Sequence, residues 1–271
     1  MKIGILLREI LDISSNLVLE NGDFSENNKT TTNPFDEFAI EASLKQKDLN
    51  NSLNISLFSY GNDKTINLLR NGIAMGADNA YLIEKIDNFK IYDIILAKIL
   101  KKTINKEGIN IFLTGNINIL DNNTGFVPIL ASVLGWNFVS SVLKFEIQDN
   151  YLDVLKKNEY GESIKIKVKL PCVLGIIKGD NSPRIPVLKN IMIARKKEII
   201  KINPKDNDEN INFCNQYNSI EISQIKKEKQ CKIIEGSDYD KAMFLFNFLK
   251  TKIAIKGWYY EKYFCYYRNW K

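Results

Sequence analysis

Residues 111–128 read IFLTGNINILDNNTGFVP. The apolar start predicts a buried strand over Ile109–Thr114, and the Asn, Asp, Thr and Gly residues that follow predict a loop. Pro128 stands where a helix can begin. A strand, a loop and a helix start in this order form a ligand site at the edge of a parallel sheet. The residue types are compatible with a phosphate-binding loop but favour a capped polar turn.

The composition is that of a globular protein with a substantial core. The chain has 271 residues, of which 45% are hydrophobic and 11% aromatic. Its formal charge is +6, but the lysines are spread along the chain without a basic stripe, so nucleic-acid binding is not expected. Histidine is absent, which excludes a histidine general base, a Ser-His-Asp or Cys-His arrangement and a His-ligated metal.

The cysteines give no sign of a metal site or a disulfide framework, because none of the four forms a CxxC pair. No signal peptide and no apolar run long enough to span a bilayer is recognised. We therefore expect a cytoplasmic protein with reduced thiols, no metal and no stable membrane insertion.

Strand and helix patterns alternate through the first half of the chain. Strands are predicted at Met1–Leu7, Asn54–Ser59, Ala80–Ile83 and Ile109–Thr114. One helix opens with Asn33 as cap, Pro34 at its first position and Asp36 three residues after the cap, with Phe35, Phe38, Ala39 and Ala42 on one face. Another runs from about Asp63 to Ala74, and a third is traced by Ile91, Ile94, Ile95, Ile99 and Leu100.

The second half predicts an antiparallel extension followed by a helical end. Alternating strands are predicted at Val139–Ile147, Tyr151–Leu155 and Ser163–Lys169, and a buried strand at Pro171–Ile177. A short helix runs into Arg195–Lys197, and residues 203–229 read as a linker. Ser237 caps a last helix whose inward residues are expected to be Ala242, Leu245, Phe246 and Leu249.

The predicted fold is an α/β protein with a mostly parallel Rossmann-like sheet, helices on both faces, an antiparallel strand extension and a C-terminal arm. Residues 1–200 form the nucleotide-binding-like domain, 201–256 the arm and last helix, and 257–271 an aromatic and basic tail.

Two kinds of site are indicated by these residues. Leu6–Arg8, Asn33, Ser59–Asn62 and Thr114–Gly125 follow strands or open helices, and they meet in one crevice if their strands are neighbours. No GxGxxG or P-loop is present. The second site is the proline-stiffened turn at 183–188, which places Arg184 and Leu188 near its tip. It is either a partner-docking segment with an apolar anchor or a rigid connection with an ordinary exposed arginine.

Five motifs in order resemble the small, or beta, subunit of electron transfer flavoprotein. They are NPFDE at 33–37, IAMGAD at 73–78, LGW at 134–136, LP at 170–171 and PRIPVLKNIMIARKK at 183–197. The resemblance runs from Met1 to about Lys201 and includes the last helix. It implies an electron carrier and not an enzyme, paired with an alpha subunit that holds most of an FAD. It also implies a structural AMP in this subunit, acyl-CoA or other flavin dehydrogenases as donors, and a quinone reductase as acceptor.

The resemblance also implies site residues. The AMP-contacting positions fall on Leu6, Asn33, Ser59, Tyr60, Gly61, Gly115, Asn116, Ile117, Asp121, Asn122, Asn123, Thr124, Gly125 and Phe126. The docking positions fall on Arg184, Val187, Leu188, Asn190, Ile191 and Met192, with Leu188 as the anchor.

This chain departs from the family in the loop at 115–125. That loop commonly reads like GKQAIDGDTxQ, and here it reads GNINILDNNTG, so AMP, a second FAD or no nucleotide are all compatible with it. Two alternative functions stay open at this point. One is a nucleotide-binding α/β enzyme of related fold, with Asp121 and Asp78 as its available carboxylates. The other is a degenerate interaction subunit without a redox role.

Overall fold

The computed structural model describes residues 1–20, 23–25, 27–86, 92–206 and 234–252. The chain divides into two compact units, Met1–Ile222 and Ser223–Lys271. The first contains the whole α/β fold, and the described part of the second is a single helix. Within the described residues, no helix is both long and apolar enough to cross a membrane.

Nine strands of the first unit form one mixed sheet, in the order β11-β10-β9-β12-β8-β1-β6-β7-β13. Two short antiparallel pairs, β2 with β5 and β3 with β4, lie outside it. The strands are β1 Lys2–Leu6, β2 Glu9–Leu11, β3 Leu19–Glu20, β4 Asp23–Phe24, β5 Thr30–Thr32, β6 Asn54–Gly61, β7 Asn79–Glu84, β8 Ile111–Gly115, β9 Asn137–Ile147, β10 Tyr151–Lys157, β11 Ser163–Lys169, β12 Cys172–Ile176 and β13 Ile200–Ile202.

Helices of the first unit cover both faces of the sheet. They are α1 Pro34–Leu49, α2 Ile66–Met75, α3 Asp93–Glu107, α4 Phe126–Leu134 and α5 Leu188–Lys196. The second unit contains α6 Asp238–Lys252. One core cluster joins the sheet to α1, α2 and α5, and the other joins it to α3 and α4. Successive strand residues point to opposite faces, so Ile5 of β1 belongs to the first cluster and Leu6 to the second. The predicted α/β fold with helices on both faces is confirmed.

The antiparallel extension is also present as predicted. β9 pairs with β10 and β10 with β11, both antiparallel, while β9 joins the rest of the sheet through a parallel pairing with β12. The register between β12 and β9 shifts where Ser141 adopts a φ of 60°. The Oδ1 of Asn116 accepts a hydrogen bond from the Ser141 N–H at 2.9 Å, which fixes this bulge.

Two helix predictions need correction. Ile94 was expected on the buried face of α3, but it is exposed, and the buried face is formed by Leu96, Ala97, Ile99, Leu100, Thr103 and Ile104. In α1, Phe35 and Phe38 are only half-buried, and the fully buried apolar residues are Ala39, Ile40, Ala42 and Leu44. Ile91 lies outside the described residues.

The helix α6 forms where it was predicted, and Ser237 caps it by accepting a hydrogen bond from the Asp240 N–H at 3.3 Å. The prediction of an inward apolar face is wrong, since Ala242 and Leu249 are exposed and Leu245 is 57% exposed. Apolar residues lie all around this helix, so it has no single buried stripe. Most of the predicted linker and the whole tail 257–271 lie outside the described residues, and the predicted domain boundaries stay predictions.

Candidate functional site

The central strands bring the predicted crevice together at one edge of the sheet. β1 lies between β8 and β6, and all three run parallel, so Leu6, Gly61 and Gly115 end side by side. The strand order, which the sequence could not give, therefore places the segments after these strands next to each other.

A buried carboxylate joins three elements at this edge. Asp36, in the first turn of α1, is fully buried. Its Oδ2 accepts hydrogen bonds from the Arg8 backbone N–H at 2.8 Å and the Arg8 Nε at 3.0 Å. Its Oδ1 accepts from the Arg8 Nη2 and from the Gly115 N–H, both at 2.7 Å. The end of β1, the start of α1 and the end of β8 thus share one ion, and we call this group the Asp36 junction.

Arg8 contributes more than a counter-charge to the Asp36 junction. Its Nη2 also donates to the carbonyls of Gly115 at 2.8 Å and Ile117 at 3.3 Å. Burial lowers the pKa of Arg8, but the negative charge of Asp36 and their hydrogen bonds outweigh burial, and the net effect is a raised pKa. The guanidinium is therefore always charged and holds the beginning of the loop after β8.

Gly115 is required by the packing of α1 against β8. A Cβ at this position would lie 2.5 Å from the backbone carbon of Phe35 and 2.6 Å from the Oδ1 of Asp36. No side chain fits at such distances, so the glycine allows the first turn of α1 to touch the strand end. Packing against α1 is therefore enough to explain a glycine here, and Gly115 does not by itself indicate a ligand.

Asn33 occupies the cap position of α1, but its side chain makes no capping hydrogen bond. Instead its Nδ2 donates to the Ile117 carbonyl at 2.9 Å, and its Oδ1 accepts from the Ile119 N–H at 3.3 Å. Asn33 and Pro34 thus occupy the predicted cap and first positions of α1, but no side-chain cap bond forms, because Asn33 is bonded to the loop and Asp36 to Arg8. Asn33 and Arg8 together hold the loop after β8 against the helix.

The loop at 116–125 is shaped by its own polar residues. Asn118 and Asn123 form an isolated antiparallel bridge, and Asp121 accepts a hydrogen bond from the Asn123 N–H at 3.1 Å. Asn122 adopts a φ of 54°, which asparagine tolerates better than most residues. Asn116 is turned away into the bulge of β9. Asn116 and Asp121, both expected to contact a nucleotide, thus have structural roles in this loop.

Asn123 connects the loop to two helix starts. Its Oδ1 accepts from the Gly125 N–H at 2.7 Å, and its Nδ2 donates to the Oδ2 of Asp93 in α3 at 2.8 Å. Gly125 caps α4 without a side-chain hydrogen bond, and Thr124 beside it is exposed. The side chain of Phe126 is buried, so only its backbone can face a ligand. The first N–H groups of α4 have no partner within the helix, which makes this end suitable for an anion.

The segment after β6 completes the crevice. The Ser59 hydroxyl is buried and donates to the Leu7 carbonyl at 2.6 Å, so it ties β6 to β1. Gly61 has no room for a Cβ, because Thr65 would lie within 1.9 Å. Tyr60 packs against the second core cluster, and burial raises the pKa of its phenol against the opposing effect of the Ile86 backbone. Of these three residues, only Tyr60 keeps part of its side chain accessible.

Sequence reasoning missed the residues that build the crevice wall. Arg8 was part of a named segment but had no role, and Asp36 was named only as the acid at the start of α1. Glu9 was not singled out, yet its carboxylate accepts hydrogen bonds from the hydroxyls of Thr30, at 2.5 Å, and Thr65. An adjacent cation and anion directly after a buried strand were the available signal.

One of the two carboxylates available to a nucleotide-binding enzyme, Asp78, lies far from the crevice. Asp78 precedes β7 and accepts a hydrogen bond from the N–H of Ile55 at the start of β6, at 2.8 Å. It lies at the amino ends of the strands, about 20 Å along β6 from the crevice. The Nζ of Lys47 lies 2.6 Å from the Oδ1 of Asp78, so Asp78 belongs to a structural ion pair.

Arg184 does not present its charge to solvent as expected. Its Nε donates to the Oε2 of Glu41 at 2.9 Å and its Nη2 to the Oδ2 of Asp48 at 2.8 Å, and both carboxylates belong to α1. These hydrogen bonds raise the pKa of Arg184. A planar guanidinium bound by two carboxylates fixes the segment before α5 to α1, and we call this contact the Arg184 clamp.

The helix α5 leaves an apolar surface exposed. Ala194 is buried and Ile191 packs on the core, while Leu188 is 73% exposed, with Val187, Met192 and Ile193 also exposed. Asn190 is half-buried. Leu188, Met192 and Ile193 surround a shallow depression bordered by Lys189 and Lys196, and we call this the α5 surface. Ile193 ends the docking loop that the resemblance implies at 184–193, but it was not singled out as a contact, although its spacing from Leu188 and Met192 could have revealed it.

Comparison with known proteins settles the family. The model of the electron transfer flavoprotein domain matches residues 22–207. The chain belongs to the electron transfer flavoprotein family. It is 34% identical over 203 residues to the probable electron transfer flavoprotein subunit beta of Saccharomyces cerevisiae, covering 73% of this chain and 77% of that protein. It is 27% identical over 259 residues to the electron transfer flavoprotein subunit beta of Bacillus subtilis, covering 94% of this chain and all of that protein. As a beta subunit of this family, it is an electron carrier and not an enzyme.

Removing the charge of Asp36 is expected to cause a large loss of stability. Asp36→Asn removes the charge that compensates the buried Arg8 guanidinium, and breaking such a pair costs about 3–5 kcal/mol. The free energy of unfolding, measured by urea titration, is expected to fall by this amount. Asp63→Asn breaks an exposed ion pair with Lys201 and is the matched control, for which little change is expected. An equal effect of the two substitutions would contradict the central role of Asp36.

Removing the charge of Glu37 is expected to increase stability by an amount that depends on pH. Burial first, and then the charge of Asp36, raise its pKa above the ordinary value. The folded protein therefore binds this proton more tightly than the unfolded chain, so the ionised carboxylate lowers stability above its folded-state pKa. Glu37→Gln is expected to stabilise the protein at pH 7, with the gain shrinking as the pH falls towards 4. Urea titrations at both pH values test this, with the exposed Glu159→Gln as control, and a gain independent of pH would refute it.

Proposed function

We propose that this chain pairs with an electron transfer flavoprotein alpha subunit and supports an FAD held mainly by that subunit. In this proposal it accepts electrons from acyl-CoA or other flavin dehydrogenases and delivers them to a quinone reductase, in the cytoplasm. The observation that carries the proposal is the exposed α5 surface on a chain of this family. Bound FAD supplies the redox chemistry, so the chain itself needs only to bind and orient its partners.

The α5 surface has the character of a docking site. Three apolar side chains lie together, with Leu188 the most exposed, and two lysines border them. Small sets of apolar anchors in a charged rim carry most of the binding energy at protein interfaces. The Arg184 clamp and the buried Ala194 hold this surface in place before a partner arrives, which reduces the entropy lost on binding.

We also propose that the crevice at the Asp36 junction holds AMP. The residues fit the phosphate end of the nucleotide, because the exposed Thr124 hydroxyl stands beside the uncapped start of α4. The backbone N–H groups of Phe126 and Val127 would bind phosphate oxygens there, with Asn33 and Arg8 keeping the loop in position. The half-buried Tyr60 would face the other end of the ligand.

A second candidate is an interaction subunit that has lost its nucleotide. It is favoured by the loop at 116–125, where the side chains of Asn116, Asp121 and Asn123 are already bonded within the protein. Such a subunit would keep the fold through the Asp36 junction and the α5 surface for partners. Nucleotide content is the property that separates the two candidates.

Co-expression with an alpha subunit tests both cofactors at once. We expect a yellow heterodimer whose heat extract contains FAD and about one AMP per dimer. Thr124→Val removes one hydrogen bond to the phosphate and is expected to lower AMP occupancy while FAD stays unchanged. FAD without any adenine mononucleotide would support the interaction subunit instead. A colourless chain that ignores the alpha subunit would refute the proposed role.

Leu188→Ala tests the docking surface. Truncating a central apolar anchor costs about 2 kcal/mol of binding, which corresponds to roughly 30-fold weaker association with a donor dehydrogenase. Stopped-flow reduction of the flavin by the dehydrogenase, over a range of carrier concentrations, measures this effect. Leu49→Ala removes a leucine that is 80% exposed outside the α5 surface and is the matched control. Equal kinetics for the two variants would exclude Leu188 as the anchor.

A further inference from the structure

A polar cavity of about 260 Å³ lies between α2 and α5, away from the α5 surface. Its polar lining residues are Asn67, Arg70, Asn71 and Arg195, and its apolar floor includes Ile191 and Ala194. Both arginines line it without any acidic residue among the described lining. The cavity therefore concentrates positive charge and amide groups over an apolar base.

The two arginines of this cavity lack the carboxylate partners that the other described arginines, Arg8 and Arg184, have. Arg8 binds the carboxylate of Asp36, and Arg184 binds those of Glu41 and Asp48. Among the residues that the structure describes, neither Arg70 nor Arg195 has a carboxylate within ion-pair distance. The Nε of Arg70 is moreover buried with no hydrogen-bond partner. A buried donor without an acceptor is unfavourable, so the Arg70 guanidinium is not fully satisfied within the protein.

We propose that this cavity binds a small tetrahedral oxyanion of the phosphate class, held between Arg70 and Arg195. Guanidinium groups bind phosphate oxygens through paired, charge-assisted hydrogen bonds. Asn67 and Asn71 lie one helical turn apart on α2, so both amides can donate to the same ligand. The cavity is below the range of about 300–1,000 Å³ typical of pockets for larger ligands, which favours the free ion.

This ligand would connect two helices that pack against each other. Arg70 belongs to α2 and Arg195 to the last turn of α5, so the anion binds both helices at once. Its site is also separate from the nucleotide crevice, which is built from α1, α4 and the strand ends. Binding is therefore independent of whether the crevice holds AMP.

Isothermal titration of the full-length protein with inorganic phosphate, at constant ionic strength in a buffer without oxyanions, tests the proposal. We expect saturable binding that Arg70→Gln and Arg195→Gln each weaken about tenfold or more, since each removes charge-assisted hydrogen bonds. Arg195 is exposed, so its substitution leaves the fold intact and keeps the test decisive if Arg70→Gln does not fold. Acetate, which is planar and singly charged, is expected to bind at least tenfold more weakly than phosphate.

A matched control locates the site. Lys197→Gln neutralises an exposed cation directly after α5 that does not line the cavity. Phosphate binding is expected to be the same in this variant as in the unaltered protein. Absence of saturable binding, equal affinity in the Arg195→Gln variant, or equal affinity for acetate would each overturn the proposal.

Discussion

The hydrogen bonds to the Asp36 carboxylate hold the ends of the central strands to the start of α1. One ion receives donors from the end of β1 and the end of β8, and it does so from the first turn of α1. Each of these elements would otherwise end in a flexible loop. Because the ion is fully buried and paired, its loss leaves a charge with no solvent to compensate it. The positions of Asn33, Gly115 and the loop after β8 all depend on this contact.

Much of the architecture could be predicted from hydrophobic periodicity, but the strand order could not. The central strands β1, β6 and β8 were expected close to where they occur, because buried strands carry continuous apolar runs. The antiparallel extension was expected from its alternation of apolar and polar residues. Pairing between strands depends on contacts distant in sequence, and no local pattern records it. The edge strand β13 was missed for a different reason, because three residues are too few to show a period.

The site was predicted less well than the fold, because hydrogen-bond partners are chosen by geometry. Asn33 and Asp36 have the residue types of a helix cap, yet both bind elements outside their helix. Arg184 has the sequence context of an exposed turn, but two carboxylates of α1 lie within its reach. Glu41 and Asp48 are seven residues apart, which places them two turns apart on one face of α1. The sequence does not show that Arg184 lies beside that face.

The Arg184 clamp has a consequence for evolution. It fixes the backbone before α5 through Glu41 and Asp48, whereas the exposed apolar side chains of α5 make no contribution to that anchoring. Substitutions at 41, 48 and 184 are therefore constrained to occur together. Those at Leu188, Met192 and Ile193 are free of this constraint. If the α5 surface docks electron donors as proposed, the same scaffold can change its donor while its interior stays unchanged.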